Sequence, residues 1–157
     1  EHVLQHKIFN KSGIKIGVFG VGIELAGLVD PKLCKGITYI DPISIANQQA
    51  NILKNELNCD LIICLSHLGY SYKSKKVSDM ILAQETSNID LIIGGHTHKF
   101  LKAPKPLQNK EGKEVLVNQV GFGAIKLGKI DFYFEKSSRQ KNYKSVSLHI
   151  KNDSKFV

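Results

Sequence analysis

The sequence predicts an α/β fold: a mixed, partly parallel sheet with flanking helices. Three observations carry this. Leu61-Ile62-Ile63-Cys64-Leu65 and Leu91-Ile92-Ile93 are short, branched apolar runs that read as strands buried on both faces. Segments with helical spacing alternate with the strands, the pattern of a largely parallel sheet with right-handed crossovers. In the C-terminal third the apolar runs are joined by short polar or glycine links, which favour antiparallel pairing.

The elements follow in order. Residues 3–9 and 14–19 read as two strands joined through Asn10-Lys11-Ser12-Gly13, a hairpin signal. Gly20-Val21-Gly22 ends the second strand. A dinucleotide loop starting at Gly20 would need glycine at Leu25, so that reading fails. Residues 23–40 are irregular, broken by Gly27, Pro31 and Gly36. Asp41-Pro42 starts a helix, with Asp41 as N-cap and proline in the first turn. Ala46, Ala50, Leu53 and Leu57 follow on one helical face, turned to the sheet, and Asn58 stops the helix. After the strand ending at Leu65 comes a lysine-rich loop over 70–76. Ser78 or Asp79 then caps a short helix through Glu85, and Asn88 leads into the strand that ends at Gly94. Strands are expected at 115–120, 125–134 and 146–150, separated by Gly121-Phe122-Gly123 and by a polar stretch over 136–143.

A chain of 157 residues can bury a single core, and its 42% apolar and 23% charged residues are ordinary for a globular protein. The net charge of +8 suits an anionic substrate, a membrane surface or nucleic acid. The lysines are scattered, however, and Arg139 is the sole arginine, so a solvated surface is expected and nucleic-acid binding is not. Cys34, Cys59 and Cys64 are odd in number and lack a CxxC spacing, which implies no disulfide framework and no structural zinc. Cys64 reads as a small apolar side chain in a buried strand. No run of about 20 apolar residues is present, so no transmembrane helix is expected. The start at Glu1 rather than Met reads as a piece of a longer parent.

The chemistry concentrates where the two apolar strands run out. One strand leads into Ser66-His67-Leu68-Gly69, the other into Gly94-Gly95-His96-Thr97-His98. In open α/β sheets ligands bind outside the carboxyl ends of the strands. Imidazole is a common ligand for zinc, iron and related metals. A lone histidine after a strand, such as His67, is more often a solvent-facing side chain. Paired histidines behind two glycines cost stability and need a reason, and the two motifs end consecutive strands. The glycines are expected to let the backbone turn sharply and approach a ligand. His67, His96 and His98 are therefore expected to converge at one rim of the sheet as metal ligands.

These two motifs together resemble the second half of the calcineurin-like metallophosphoesterase domain. Gly13-Ile14-Lys15-Ile16-Gly17-Val18-Phe19-Gly20, Asn88-Ile89-Asp90-Leu91-Ile92-Ile93 and Gly121-Phe122-Gly123 with Leu127-Gly128 are similar to it as well. The likeness is greatest to the 5′-nucleotidase and UDP-sugar hydrolase branch and spans roughly residues 8–134. It implies about half of a four-layer α-β-β-α sandwich. It implies that His67 and His96 match ligands of one metal and His98 a ligand of the other, in a site for two divalent ions, commonly zinc, manganese or iron. Such a pair clamps a phosphate ester and activates a water, here with a nucleotide or other phosphate ester as substrate. The resemblance alone suggests a periplasmic or secreted parent.

The departures from that family are equally informative. Its Asp-x-His pair, bridging Asp and Gly-Asn-His motif are missing, and so is its nucleoside-binding C-terminal domain. Asn47, Asp60 and Asp90 sit in a helix or at strand starts and do not replace them. Residues 1–157 are thus expected to form a single partial domain, the C-terminal half of a catalytic domain. Three imidazoles without a bridging carboxylate suffice for one zinc at most, so the isolated chain is expected to be inactive. The alternative is a catalytically inert binding or assembly module with the same half-fold. The helices cover one sheet face. The other is expected to be covered by a two-fold homodimer standing in for the missing N-terminal half or, alternatively, by the tail strands of the same chain.

Overall fold

The computed structural model describes residues 3–135 and 140–150. Strands β1 (His6–Lys11) and β2 (Ile14–Val21) form the expected hairpin, turning through Ser12 and Gly13, both at positive φ. β3 (Leu61–Ser66), β4 (Leu91–Ile93), β5 (Lys105–Gln108) and β6 (Glu114–Asn118) complete a six-stranded sheet in the order β1-β2-β3-β4-β6-β5. The four central strands run parallel, and antiparallel strands close both edges. The fold is thus the mixed, mostly parallel α/β sheet that the sequence predicts. β5 escaped the sequence reading because it is four residues long, carries Pro106 and lies at an edge, where a missing N–H is tolerated.

Helix α1 (Pro42–Asn51) starts as expected, with the Asp41 carboxylate accepting the Ser44 amide at 2.7 Å. Its last turn widens over Ile52–Glu56, where the Leu57 amide reaches back five residues to the Ile52 carbonyl. Ala46, Ala50 and Leu53 are fully buried, as their spacing predicts. The second helix, α2 (Asp79–Glu85), is capped by Ser78, whose hydroxyl accepts the Ile81 amide. Both helices cover one sheet face. There Ile62, Cys64, Ile92, Val115 and Val117 are inaccessible and form the core with Leu53 and Leu82. A fully buried side chain of this size contributes roughly 1.5–3 kcal/mol. Burial also pushes the Cys64 thiol well up, in keeping with an inert core cysteine.

The tail forms its own two-stranded antiparallel sheet, β7 (Lys126–Phe134) with β8 (Lys141–His149). β8 begins five residues before the expected 146, taking in part of the polar stretch; residues 136–139, including Arg139, lie outside the described residues. This hairpin lies against the second face of the main sheet. Ile130 and Phe132 line a cleft with Ile16, Leu61, Ile63 and Leu91. Lys141 ties the hairpin to the bottom of the sheet by pairing with Asp90 and donating to the Asp60 carbonyl at 3.3 Å. The cover is partial. Leu61 and Leu91, low on their strands, are buried, whereas Leu65 and Ile93 at the carboxyl ends are 48% and 42% exposed.

Candidate active site

The carboxyl ends of β2, β3 and β4 enclose a shallow concavity of about 540 Å³, lined by Val21, Leu65, Ser66, His67, Gly94 and Gly95. A larger apolar groove beside it, bounded by the loop over 22–41, is lined by no histidine among the described residues. The parallel register places the first concavity. β3 and β4 leave the sheet side by side, so the residues following them share one rim.

His67 is exposed and is fixed by its backbone, whose N–H donates to the Val21 carbonyl at 3.0 Å. The His67 and His96 rings stand edge to face with centroids 5.2 Å apart. His98 lies on the same loop, but its ring stacks on Phe122 at 4.9 Å. His67 and His96 are thus adjacent, and His98 is held to one side by an aromatic partner. Phe122 in turn meets Phe100 edge to face, and Lys126 sits over the Phe100 ring.

The glycines work differently from the sequence expectation. The sharp backbone falls on the histidines: His96 has φ 69° and His98 φ 54°, and neither Gly94 nor Gly95 has positive φ. Gly94 and Gly95 serve close approach instead. A Cβ on Gly94 would overlap the Asp79 carboxylate and lie 2.9 Å from Gln119 Nε2; one on Gly95 would lie 3.1 Å from His67 Nδ1. The close neighbours are parts of the protein itself.

Behind the histidines is a buried polar network that sequence reasoning did not single out. Asp79 is fully buried, and its carboxylate accepts Ser66 Oγ at 2.6 Å and Gln119 Nε2 at 2.8 Å. Burial raises its pKa from 3.8 to about 6, against the opposing pull of those two hydrogen bonds and of His67. Gln119 also donates to the Gly95 carbonyl at 2.7 Å and accepts from the Lys99 amide at 3.0 Å. A signal was available in Gln119, a buried amide at the end of an apolar run. Asp79 looked like one of two candidate caps, and the cap is Ser78.

These side chains suit a divalent metal in part. The pKa of His96 is lowered, first by burial and then by the neighbouring His67, Lys76 and His98, which favours the neutral imidazole that ligates metals. No group of three or more His, Cys, Asp or Glu side chains arranged to hold a metal is present among the described residues. Asp79, on the core side of the rim, is engaged by Ser66 and Gln119. Among the described residues the donor set therefore fits part of a ligand shell, without a bridging carboxylate.

Comparison with known proteins agrees with this architecture. The profile of the calcineurin-like phosphoesterase family matches residues 10–100. An apyrase of Tabanus yao is 28% identical over 93% of the chain, which spans 28% of that protein. A 5′-nucleotidase of Vibrio cholerae is 33% identical over 60% of the chain and 18% of its own length. Among solved structures, the 5′-nucleotidase precursor of Thermus thermophilus superposes with a TM-score of 0.71 at 25% identity, over 93% of this chain and 30% of that one. The chain thus spans less than a third of each of these relatives. The profile covers more than half of the chain and includes both strand-end histidine motifs, and on that match the chain belongs to the calcineurin-like phosphoesterase family.

Proposed function

We propose that this chain is the C-terminal part of the catalytic domain of a metal-dependent phosphoesterase, of the type that hydrolyses the phosphate monoester of a nucleotide. The observation that carries the reading is the edge-to-face meeting of His67 and His96 where two parallel strands end. His67 and His96 would hold one divalent ion and His98 a second, as zinc, manganese or iron. When bound, such ions polarise the ester and sharpen a water into a nucleophile. The chain's own part is positional. Gly95 leaves room for the His67 ring, and the concavity beside the rings is open enough to admit a phosphate. The relatives named 5′-nucleotidase and apyrase support a nucleotide as the substrate.

The ligand set is completed, on this reading, by carboxylate and histidine motifs elsewhere in the parent. The isolated chain should then hydrolyse a nucleoside monophosphate negligibly with added Mn²⁺ or Zn²⁺. A parent carrying Asp-x-His and Gly-Asn-His motifs should turn it over, with a loss of at least about 100-fold in His96→Ala. Robust turnover by the isolated chain, lost in His96→Ala, would overturn the partial-site reading. A motif-bearing parent inactive on every phosphate ester would overturn the enzymatic one.

A further inference from the structure

We propose that Gln119 is a positioning residue for the histidine rim, holding the 95–99 turn against the loop that carries His67. The carboxamide makes four hydrogen bonds, each to a different residue. Nε2 donates to Asp79 Oδ2 at 2.8 Å and to the Gly95 carbonyl at 2.7 Å. Oε1 accepts from the Lys99 amide at 3.0 Å and from Thr97 Oγ1 at 3.3 Å. Partner chemistry fixes this orientation, because a flipped amide would set its oxygen against a carboxylate and a carbonyl. Only a side chain with donor and acceptor on one planar group meets all four, so neither glutamate nor an apolar residue can replace it.

The bonds run to the segments that matter. Gly95, Thr97 and Lys99 interleave with His96 and His98. Thr97 Oγ1 also accepts the Tyr70 amide at 2.8 Å, linking the turn to the segment after His67. Asp79 passes the restraint to Ser66, the residue before His67, through the 2.6 Å bond from Ser66 Oγ. Gln119 and Asp79 are 2% and 0% exposed, and the bonds from Ser66 and Gln119 to the Asp79 carboxylate are buried away from water. Held this way, His96 and His98 keep their left-handed backbone and the His67–His96 ring spacing is set.

The test uses the full chain with ¹³C/¹⁵N-labelled histidine. Gln119→Met keeps the volume and removes all four bonds. It should abolish the ring-to-ring cross-peak between His67 and His96 and shift both imidazole signals, while the Ile92 and Val117 amides stay protected from exchange. Asp79→Asn, whose amide can still accept from Gln119 and donate to Ser66, should restore the cross-peak that Asp79→Leu loses. Zinc alone, followed by calorimetry, should bind about 10–100-fold more weakly to Gln119→Met than to the native chain or Asp79→Asn. This last arm alone rests on the metal reading: a native chain that ignores zinc would count against the ligands, and the ring signals would still judge Gln119. An unchanged cross-peak and unchanged imidazole signals in Gln119→Met overturn the proposal. Should that variant not fold, hydrogen exchange on the native chain decides. The Tyr70 and Lys99 amides should be protected by at least about 100-fold although the turn is exposed, and exchange at the free-peptide rate overturns the proposal.

Discussion

His96 and His98 both occupy left-handed backbone, which costs a residue with a Cβ roughly 1–2 kcal/mol. Such cost persists where surrounding bonds impose it, and here Gln119 and Asp79 supply them. Asp79 should leave a mark on the pH dependence of stability. Its folded pKa of about 6 lies above the ordinary 3.8, so the folded state holds the proton more tightly. Its contribution is fully present below pH 3.8 and is lost as pH rises through 6, by up to about 3 kcal/mol. Urea melts at pH 4.5 and 7.5 should therefore show the native chain losing stability relative to Asp79→Asn as pH rises; parallel curves would refute this. Gly94→Ala tests the same spot sterically. Its methyl would overlap the Asp79 carboxylate, and a thermal melt should report a loss of about 1–3 kcal/mol or more.

At the scale of elements, α1 couples the irregular loop to the sheet. The helix is anchored less by its cap than by Leu53, which is inaccessible and packs close over Gly17. Asp41→Ala removes one capping bond at an exposed site and should cost about 1 kcal/mol. Leu53→Ala opens a core cavity and should cost roughly 2–5 kcal/mol. Denaturant midpoints of the two variants rank them, and a larger loss in Asp41→Ala would mean that the widened turn lets the core collapse around the gap. α2 has two roles: Ser78 caps it, while Asp79 one residue on faces the polar network. Two adjacent residues thus serve stability and the site separately.

For the whole molecule, the β7–β8 hairpin covers the lower part of the second sheet face and leaves Leu65 and Ile93 open beside the histidines. Of the two candidate covers for that face, the tail strands are the one seen, and they leave the upper strip open. The tail takes the lower part, and the upper strip is where we place the proposed N-terminal half. Without that half the strip should drive weak two-fold self-association, seen as concentration-dependent sedimentation at micromolar chain and removed by Leu65→Glu. Sedimentation as a monomer at every concentration would reject it.

The sequence alone determined the strand–helix alternation, the cap at Asp41, the buried stripe Ala46-Ala50-Leu53 and the candidate histidines. These are local signals: side-chain periodicity, branched apolar runs and cap chemistry act within a few residues. The tertiary structure decided the rest. Edge strand β5 is defined by its pairing with β6, and its own composition argued against it. The rotation of α2 chose Ser78 over Asp79 as cap and turned the carboxylate inward. Gln119 became a partner of the 95–99 turn because β6 lies beside β4 although 20 residues of chain separate Ile93 from Glu114. Phe122 met His98 through the same juxtaposition. Hydrogen bonds and ring contacts depend on distance in space, and spacing along the chain does not encode it until the sheet order is set.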